Sequence, residues 1–366
     1  MKCQMRVDAV AFSEAMHKVG RVLVRRSSIP VLEEICVRMH SGRCTLTGTD
    51  LDTWMTVEIP AEGDDLTFVF RRTRDVMKAF ALFRGEVTIE LEVLSQGRNQ
   101  CRLTVSCGQR TAEYEATTDA DYPTCVLVDA GRSTELNAQK LLERIRRVRY
   151  ATLKPGVRAK AISTCIQCVG NRVFALDGRR AAWDQDETVR FPAPFLAYGS
   201  ALENLRVFGD STVMMQAESR YVKFAGGGIN FFIRKQEAPP FDMDSAIPMQ
   251  FAEHIRVNTQ AFLRELEYLD KCAAGSTKLY VRFAGEQLSL SVPSGTFQTR
   301  VPMEGRGDIV LGFNLSYMLD AVRQFNGTEQ ITIKLGGRYA PMVIEAEGRS
   351  DYAMVLPVHM KERLAA

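Results

Sequence analysis

The chain contains 366 residues, of which 46% are hydrophobic and 25% are charged, and its formal net charge is +3. This length predicts two or three domains, and the composition is typical of a soluble globular protein. No apolar run approaches the roughly 18 residues of a membrane helix, no signal peptide is evident, and the nine cysteines lack the spacing of a disulfide framework, so we expect a cytoplasmic protein.

Three sequence signatures recur about 120 residues apart, which is domain-sized and longer than the repeat of a solenoid. Short helix starts recur at Val7, Leu136 and Val257. Helix ends that lead into a strand recur at Gly85, Gly209 and Gly327. A strand, an acidic turn and a second strand occur around Asp50 and Asp177, with a degenerate copy at Pro293 to Gly295. The sequence therefore predicts three copies of one domain, at residues 1–126, 127–248 and 249–366.

Within each copy, capping residues and apolar spacing predict two helices, and period-two alternation predicts about eight strands. The helices are predicted after Asp8, from Arg72 to Phe83, after Asn137, from Pro194 to Phe208, after Asn258, and from Asn314 to Phe325. Two apolar-faced helices on a sheet that wraps them form an α+β arrangement.

No catalytic constellation is evident in the sequence. The four histidines have no carboxylate or cysteine at a ligand or triad spacing, and nucleophile-elbow, phosphate-loop and dinucleotide motifs are missing. Asp50 and Asp177 suggest an acid pair, but their equivalent places in two repeats favour turn residues that bind local backbone N–H groups. Cys165 and Cys168 lack the second pair that a zinc site needs. We expect a binding protein without catalytic residues, metal or cofactor, and an enzyme with an unrecognised site is the alternative from another class.

Five ordered motifs resemble the signatures of the bacterial DNA polymerase III β subunits, the sliding-clamp family. They are residues 26–32, 46–51, 176–180, 312–320 and 354–358, and the similarity covers nearly the whole chain. The resemblance implies three DNA-clamp domains, each with two helices on wrapping antiparallel sheets, in a head-to-tail homodimer that closes as a ring around duplex DNA. It also implies a processivity factor that tethers the replicative polymerase, the clamp loader and other proteins with a clamp-binding motif. The alternative is a clamp-like paralogue or decoy that serves repair or a mobile element.

A basic cluster fits sequence-independent contact with DNA phosphates. Between Glu135 and Lys160 eight basic residues accompany only two acidic ones, although the net charge of the whole chain is small. The predicted DNA-binding residues are Arg25, Arg26, Arg72, Lys78, Arg146, Arg147, Lys154, Arg158 and Lys160. Each of these side chains, taken singly, is also consistent with an ordinary solvated surface.

The family resemblance predicts a partner-peptide pocket between the second and third copies. Its walls are predicted to be Leu176, Gly178, Arg179, Arg180, Ala181, Pro240, Met354, Leu356, Pro357, Val358 and Met360. Pro357 cannot donate to a β-ladder, which indicates an edge, and methionines repack around different partners. We expect Arg179 and Arg180 to donate hydrogen bonds to the peptide. The family's usual Gly-His-Arg-Leu turn reads Gly-Arg-Arg-Ala here, and the alternative is that Leu356 and Val358 only close a core.

The dimer joint is predicted to pair an edge strand of the first copy with one of the third. The residues expected there are Gln109, Thr111, Ala112 and Tyr114, with Tyr268 and Leu269 as an apolar anchor. The alternative is that both segments belong to the cores of their own domains.

Overall fold

A computed structural model describes residues 2–95, 99–124, 132–156, 159–272, 278–292 and 297–359. Backbone contacts divide the chain into two compact units: unit 1 is Met1–Leu142 with Ser200–Lys235, and unit 2 is Glu143–Gly199 with Gln236–Ala366. Arg158, Met360 and the predicted boundary between residues 126 and 127 lie outside the described residues. Of the helices that the structure describes, none combines the length and apolar character needed to cross a bilayer.

The described residues form short helices separated by many strands, which confirms the α+β class. The helices are α1 (Ala9–Val19), α2 (Thr73–Phe80), α3 (Ala138–Val148), α4 (Ala161–Thr164), α5 (Gly199–Leu202), α6 (Met243–Ala246), α7 (Thr259–Cys272) and α8 (Leu315–Arg323). Strands before α3 are β1 (Lys2–Asp8), β2 (Cys36–His40), β3 (Arg43–Thr49), β4 (Thr53–Pro60), β5 (Glu62–Gly63), β6 (Leu66–Phe70), β7 (Glu86–Ser95), β8 (Gln100–Cys107), β9 (Arg110–Thr117) and β10 (Arg132–Asn137).

The remaining strands follow α3. They are β11 (Cys165–Val169), β12 (Arg172–Leu176), β13 (Arg180–Gln185), β14 (Phe195–Tyr198), β15 (Thr212–Ala217), β16 (Tyr221–Gly226), β17 (Ile229–Arg234), β18 (Glu253–Asn258), β19 (Lys278–Ala284), β20 (Gln287–Ser291), β21 (Gln298–Glu304), β22 (Asp308–Asn314), β23 (Gln330–Leu335), β24 (Met342–Glu345) and β25 (Asp351–Val355). Every strand pair is antiparallel.

In unit 1, thirteen strands pair in the order β10-β15-β16-β17-β4-β3-β2-β6-β9-β8-β7-β1-β5. Helix α1 begins where the Asp8 carboxylate accepts the N–H of Ala11 at 2.8 Å, which satisfies a donor that the first helical turn leaves free. Its apolar face carries Phe12, which is fully buried 4.9 Å from the Phe80 ring of α2. A Cβ on Gly48 would lie 2.6 Å from Val19, so glycine is needed where β3 passes under α1.

In unit 2, twelve strands pair in the order β14-β11-β12-β13-β25-β24-β23-β18-β21-β20-β19-β22. Helices α7 and α8 bury Phe262, Leu266 and Leu319 in a main core with these strands. Burial of such side chains contributes about 1.5–3 kcal/mol each relative to exposure. A second, smaller apolar cluster involves β12, β13, β24 and β25, and it is part of the candidate site.

The helix predicted from Pro194 to Phe208 is wrong over its first five residues. Residues 195–198 form β14, followed by the single-turn α5 and a 3-10 helix at Glu203–Phe208. Phe195, Leu196 and Ala197 are all buried, and they pair with β11. Burial on both faces explains why a continuous apolar run is a strand here.

Candidate functional site

The turn between β12 and β13 is fixed by Asp177. Its Oδ1 accepts the backbone N–H groups of Arg179 and Arg180 at 2.9 and 3.0 Å, and Gly178 adopts a φ of 85°. Asp50 makes the same kind of contact in unit 1, accepting the N–H of Thr53 at 2.6 Å. The interpretation of both aspartates as turn residues is therefore confirmed.

Arg180 is a structural residue of this turn. Its Nε donates to Asp177 Oδ2 at 3.1 Å and its Nη1 donates to Asp320 Oδ2 at 2.6 Å. Its guanidinium also lies over the rings of Tyr317 and Tyr150, at 4.3 and 5.5 Å from their centroids. Because only 9% of Arg180 is exposed, the expectation that this side chain donates to a partner peptide is corrected.

Next to the turn lies an apolar patch, formed by the buried side chains of Phe174, Leu176, Ala181, Trp183, Met243, Val343 and Met354. Trp183 stacks on Tyr352 with 5.0 Å between ring centroids. The segment after Pro240 covers this patch with Phe241, Ile247 and Phe251, which pack against it while partly buried. Sequence reasoning missed this segment, although its apolar residues directly follow the proline pair that marks the end of the second copy.

Residues 356–358, directly after β25, supply the accessible part of the predicted pocket. Leu356 is 38% exposed, and Pro357 and Val358 are half-buried. The Leu356 N–H donates to the carbonyl of Arg179 at 2.9 Å, and the Val358 N–H donates to the carbonyl of Gly312 at 2.8 Å. These bonds hold an exposed apolar edge directly beside the turn.

The predicted pocket residues therefore form two groups. Leu176, Ala181 and Met354 are buried in the apolar patch, whereas Gly178, Arg179, Pro240 and Leu356 are exposed. All of them belong to unit 2. The structure thus brings the described members to one region of unit 2 without testing whether a peptide binds there.

The predicted DNA-binding residues of unit 1 are all exposed. Arg25 and Arg26 follow α1, and Arg72 and Lys78 lie at the start and near the end of α2. Asp75 pairs with both of the latter, at 2.7 Å from Arg72 and 3.1 Å from Lys78. The hydrogen bond from Lys78 and the charge of Arg72 lower the pKa of Asp75. One carboxylate shared by two cations leaves this helix with a positive excess.

An open cleft of about 480 Å³ between α1 and the end of α2 adds further charge in unit 1. Its lining includes His17, Lys18 and Arg84 with Glu14 among them. No sequence motif indicates this cleft, because its walls come from residues about 65 positions apart in the chain.

In unit 2, the buried carboxylate of Asp184 binds two arginines of α3. Arg144 Nε donates to Asp184 Oδ1 at 2.7 Å, and Arg147 Nη1 donates to Asp184 Oδ2 at 2.9 Å. The hydroxyl of Ser350 lies 3.3 Å from Oδ2. The Arg147 guanidinium, which was predicted to contact DNA, is therefore held by Asp184 within the protein. Arg146, Lys154 and Lys160 are exposed.

Two strands have an open side along part of their length. Strand β9 pairs with β8 throughout but with β6 only at Ala116 and Thr117. Strand β21 pairs with β20 over residues 298–302 and with β18 only at Met303 and Glu304. Within the part of the chain that the structure describes, residues 110–115 and 298–302 thus have no second strand partner, and they include the predicted joint residues Thr111, Ala112 and Tyr114.

Only one of the two residues predicted as the apolar anchor on α7 is exposed. Tyr268 is 44% exposed, but Leu269 is fully buried in the main core of unit 2. Leu269 is therefore removed from the predicted joint, because it follows Phe262 and Leu266 on the core face of the helix.

Neither cysteine of the Cys165-x-x-Cys168 pair is exposed. Burial raises the pKa of both thiols, which disfavours the thiolate that metal binding requires. Among the described residues, no group of three or more His, Cys, Asp or Glu side chains could hold a metal ion.

Repeated helices on antiparallel sheets, with β9 and β21 open on one side at residues 110–115 and 298–302 of the described chain, define a clamp-type scaffold. Solved structures share it: the DNA polymerase sliding clamp from Caulobacter crescentus has a TM-score of 0.84 at 16% identity, covering 98% of this chain and 100% of that one. The DNA polymerase III subunit beta from Pseudomonas aeruginosa has a TM-score of 0.83 at 18% identity, with the same coverage.

Sequence comparison gives the family. The model for the N-terminal domain of the DNA polymerase III beta subunit matches residues 3–126, and the model for its C-terminal domain matches residues 244–360. The beta sliding clamp of Pseudomonas putida is 22% identical over 379 residues, covering 97% of this chain and 99% of that protein. The chain belongs to the DNA polymerase III β subunit family.

Proposed function

We propose that this protein is a DNA sliding clamp, a scaffold without catalytic activity. Two copies pair head to tail, enclose duplex DNA and tether a replicative polymerase and other proteins that carry a short binding peptide. The family membership and the open sides of β9 and β21 support this proposal. No observation on the chain favours a paralogue or decoy outside replication.

The main support for the proposal is a strand pairing between neighbouring copies, which occurs twice within the chain. We call this pairing a joint. In unit 1, β4 follows an acidic turn and pairs with β17, with Thr56 opposite Asn230. In unit 2, β13 follows the equivalent turn and pairs with β25, with Ala181 opposite Met354. Each joint connects the strand after the turn of one copy to the last strand of the next copy.

The third set of equivalent strands has no such partner in the described chain. Strand β21 follows the degenerate turn of the third copy, and β9 is the last strand of the first copy. Counting from the turns that precede β3 and β20 places Gln298 in the position of Thr56. Counting from the turns that precede β9 and β17 places Thr111 in the position of Asn230. In a dimer, β21 of each copy can therefore pair with β9 of the other copy. The two joints formed in this way close a head-to-tail dimer.

Backbone geometry fits strand addition to β9. The N–H of Arg71 donates to the carbonyl of Glu115 on the side away from β8. Because backbone groups of an antiparallel strand alternate in direction, those of Glu113 and Thr111 point to the same open side. These groups are available to a strand from another copy.

Exposed basic side chains in both units suit a weak and mobile grip on DNA. Arg25, Arg26, Arg146, Lys154 and Lys160 present charge without a base-reading motif. Such contacts give sequence-independent binding whose affinity falls with salt. The protein would then stay on DNA because the closed dimer encloses the duplex, and not because it binds tightly.

The proposed joint is tested by Glu113→Pro. Proline removes an N–H on the open side and leaves the β8 ladder intact, so the fold should tolerate it. We expect sedimentation velocity at micromolar concentration to show monomers for Glu113→Pro and dimers for Glu113→Ala, which keeps the amide. A natively folded Glu113→Pro variant that remains dimeric would place the joint elsewhere.

A further inference from the structure

Arg179 differs from the other charged groups of the β12–β13 turn because its charge is not balanced. Asp177 of the turn and Asp320 of α8 both bind Arg180. The guanidinium of Arg179 is exposed and makes no hydrogen bond or ion pair with any residue that the structure describes. The turn therefore presents one free positive charge to solvent.

The backbone of Arg179 is held in place on both sides. Its N–H donates to Asp177 Oδ1 at 2.9 Å, and its carbonyl accepts the N–H of Leu356 at 2.9 Å. These two bonds fix the backbone from which the exposed guanidinium extends, next to Leu356. Because the backbone that carries this flexible side chain is fixed, less conformational entropy is lost when the guanidinium binds a partner.

The surroundings of Arg179 favour a peptide as the partner. Leu356 is 38% exposed and Pro357 is half-buried, so an apolar edge lies directly beside the free cation. An apolar contact next to a single positive charge complements a peptide in which an apolar anchor is followed or preceded by a carboxylate. A guanidinium can bind a carboxylate through two parallel N–H···O bonds, a geometry that lysine or neutral histidine cannot provide.

We propose that Arg179 selects partner peptides that carry an aspartate or glutamate next to the apolar residue contacting Leu356. This inference rests on the proposed function, since it names the chemistry of the partner at the same site. Arg179 is a specificity-determining residue in this account, and Arg180 holds the turn that positions it.

The expected loss of peptide affinity is small, because the Arg179 side chain is exposed to solvent. A surface ion pair contributes little because solvent screens the charges, and a bidentate arginine–carboxylate pair lies in the upper part of the usual range, at about 0.4–1 kcal/mol. Replacing the peptide carboxylate by its amide should therefore weaken binding about two- to fivefold. Removing the apolar anchor should cost considerably more.

The test begins with a displayed library of random nine-residue peptides, selected on the full-length protein and on Arg179→Gln. We expect the wild-type protein to enrich peptides with an acidic residue beside an apolar one, and Arg179→Gln to enrich apolar peptides without that acid. Arg256→Gln, which changes an exposed arginine on β18, is the matched control and should select like the wild type.

A fluorescein-labelled peptide from the wild-type selection is then measured by anisotropy beside its Asp→Asn or Glu→Gln analogue. The inference predicts a two- to fivefold difference for the wild type, none for Arg179→Gln, and a preference for the Lys analogue by Arg179→Glu. Equal affinity for the two peptides would overturn the inference and leave the pocket intact. If no peptide is enriched at all, the pocket and the inference both fail. A weaker salt dependence of DNA binding in Arg179→Gln, with unchanged peptide affinity, would assign Arg179 to DNA instead and also overturn it.

Discussion

Asp184→Asn is the substitution most informative about the interior of unit 2. The side chain of Asp184 is fully buried, that of Arg144 is 6% exposed, and that of Arg147 is 36% exposed. The amide keeps the shape and one acceptor oxygen but removes the negative charge, so a buried guanidinium loses its counterion. Breaking a buried pair on one side costs about 3–5 kcal/mol, and the retained hydrogen bond places our expectation at about 3 kcal/mol.

The assay is urea denaturation followed by circular dichroism. Glu267→Gln is the control in the same unit, because its pair with Arg323 is 3.1 Å long and both side chains are at least 40% exposed. Such a surface pair contributes at most about 1 kcal/mol. If Asp184→Asn lowers the free energy of unfolding no more than Glu267→Gln does, the buried network does not stabilise unit 2.

The same variant has a second readout on DNA. Freed from Asp184, Arg147 becomes available to a phosphate, and each additional phosphate contact steepens the salt dependence of log K by about 0.9. We expect folded Asp184→Asn to bind duplex DNA with a steeper slope than the wild type. An unchanged slope would mean that Arg147 remains held by other groups.

Three further outcomes are expected. Changing Arg26, Arg158 and Lys160 together to Gln should weaken binding equally to unrelated duplexes and flatten the salt dependence in filter binding; loss on one sequence only would contradict a non-specific surface. Leu356→Asp should abolish binding of a selected peptide by anisotropy while the protein stays dimeric, and unchanged affinity would place the pocket elsewhere. Burial raises the pKa of Cys36 and Cys44 to about 12, so iodoacetamide at pH 8 should label the half-buried Cys3 and Cys272 first by mass spectrometry; equal labelling of all four would contradict the core placement.

The cysteine shifts also give stability a pH dependence of known sign. A thiol whose pKa is raised in the folded state keeps its proton more tightly than in the unfolded chain. Its contribution is therefore complete below the unfolded pKa of about 8.5 and is lost as pH rises toward 12.

Local signals in the sequence predicted the helix starts well. Asp8, Asn258 and Asn314 accept N–H groups three residues ahead, at 2.8, 2.9 and 3.1 Å, as caps do. Residues 195–198 were different because the strand that they form depends on pairing with β11, about 30 residues earlier in the chain. A local pattern cannot contain that information.

The candidate site shows the same division between local and distant information. The turn role of Asp177 follows from its neighbours, but the capture of Arg147 by Asp184 joins residues 37 positions apart. The burial of Leu269 was within reach of sequence reasoning, because Phe262, Leu266 and Leu269 follow the spacing of one helix face. The family resemblance predicted an edge strand in the region of β9, but the open side of β21 became evident only from the strand pairing.

Retention on circular DNA tests the central proposal most directly. Labelled protein is assembled on a nicked circular plasmid, the complex is isolated by gel filtration, and half of it is cut once with a restriction enzyme. A sliding clamp predicts stable retention on the circle, loss after linearisation, and retention again when the ends of the linear DNA are blocked by bound streptavidin. Equal retention on circular and free-ended linear DNA would contradict the proposal, because binding would then depend on affinity rather than on encirclement.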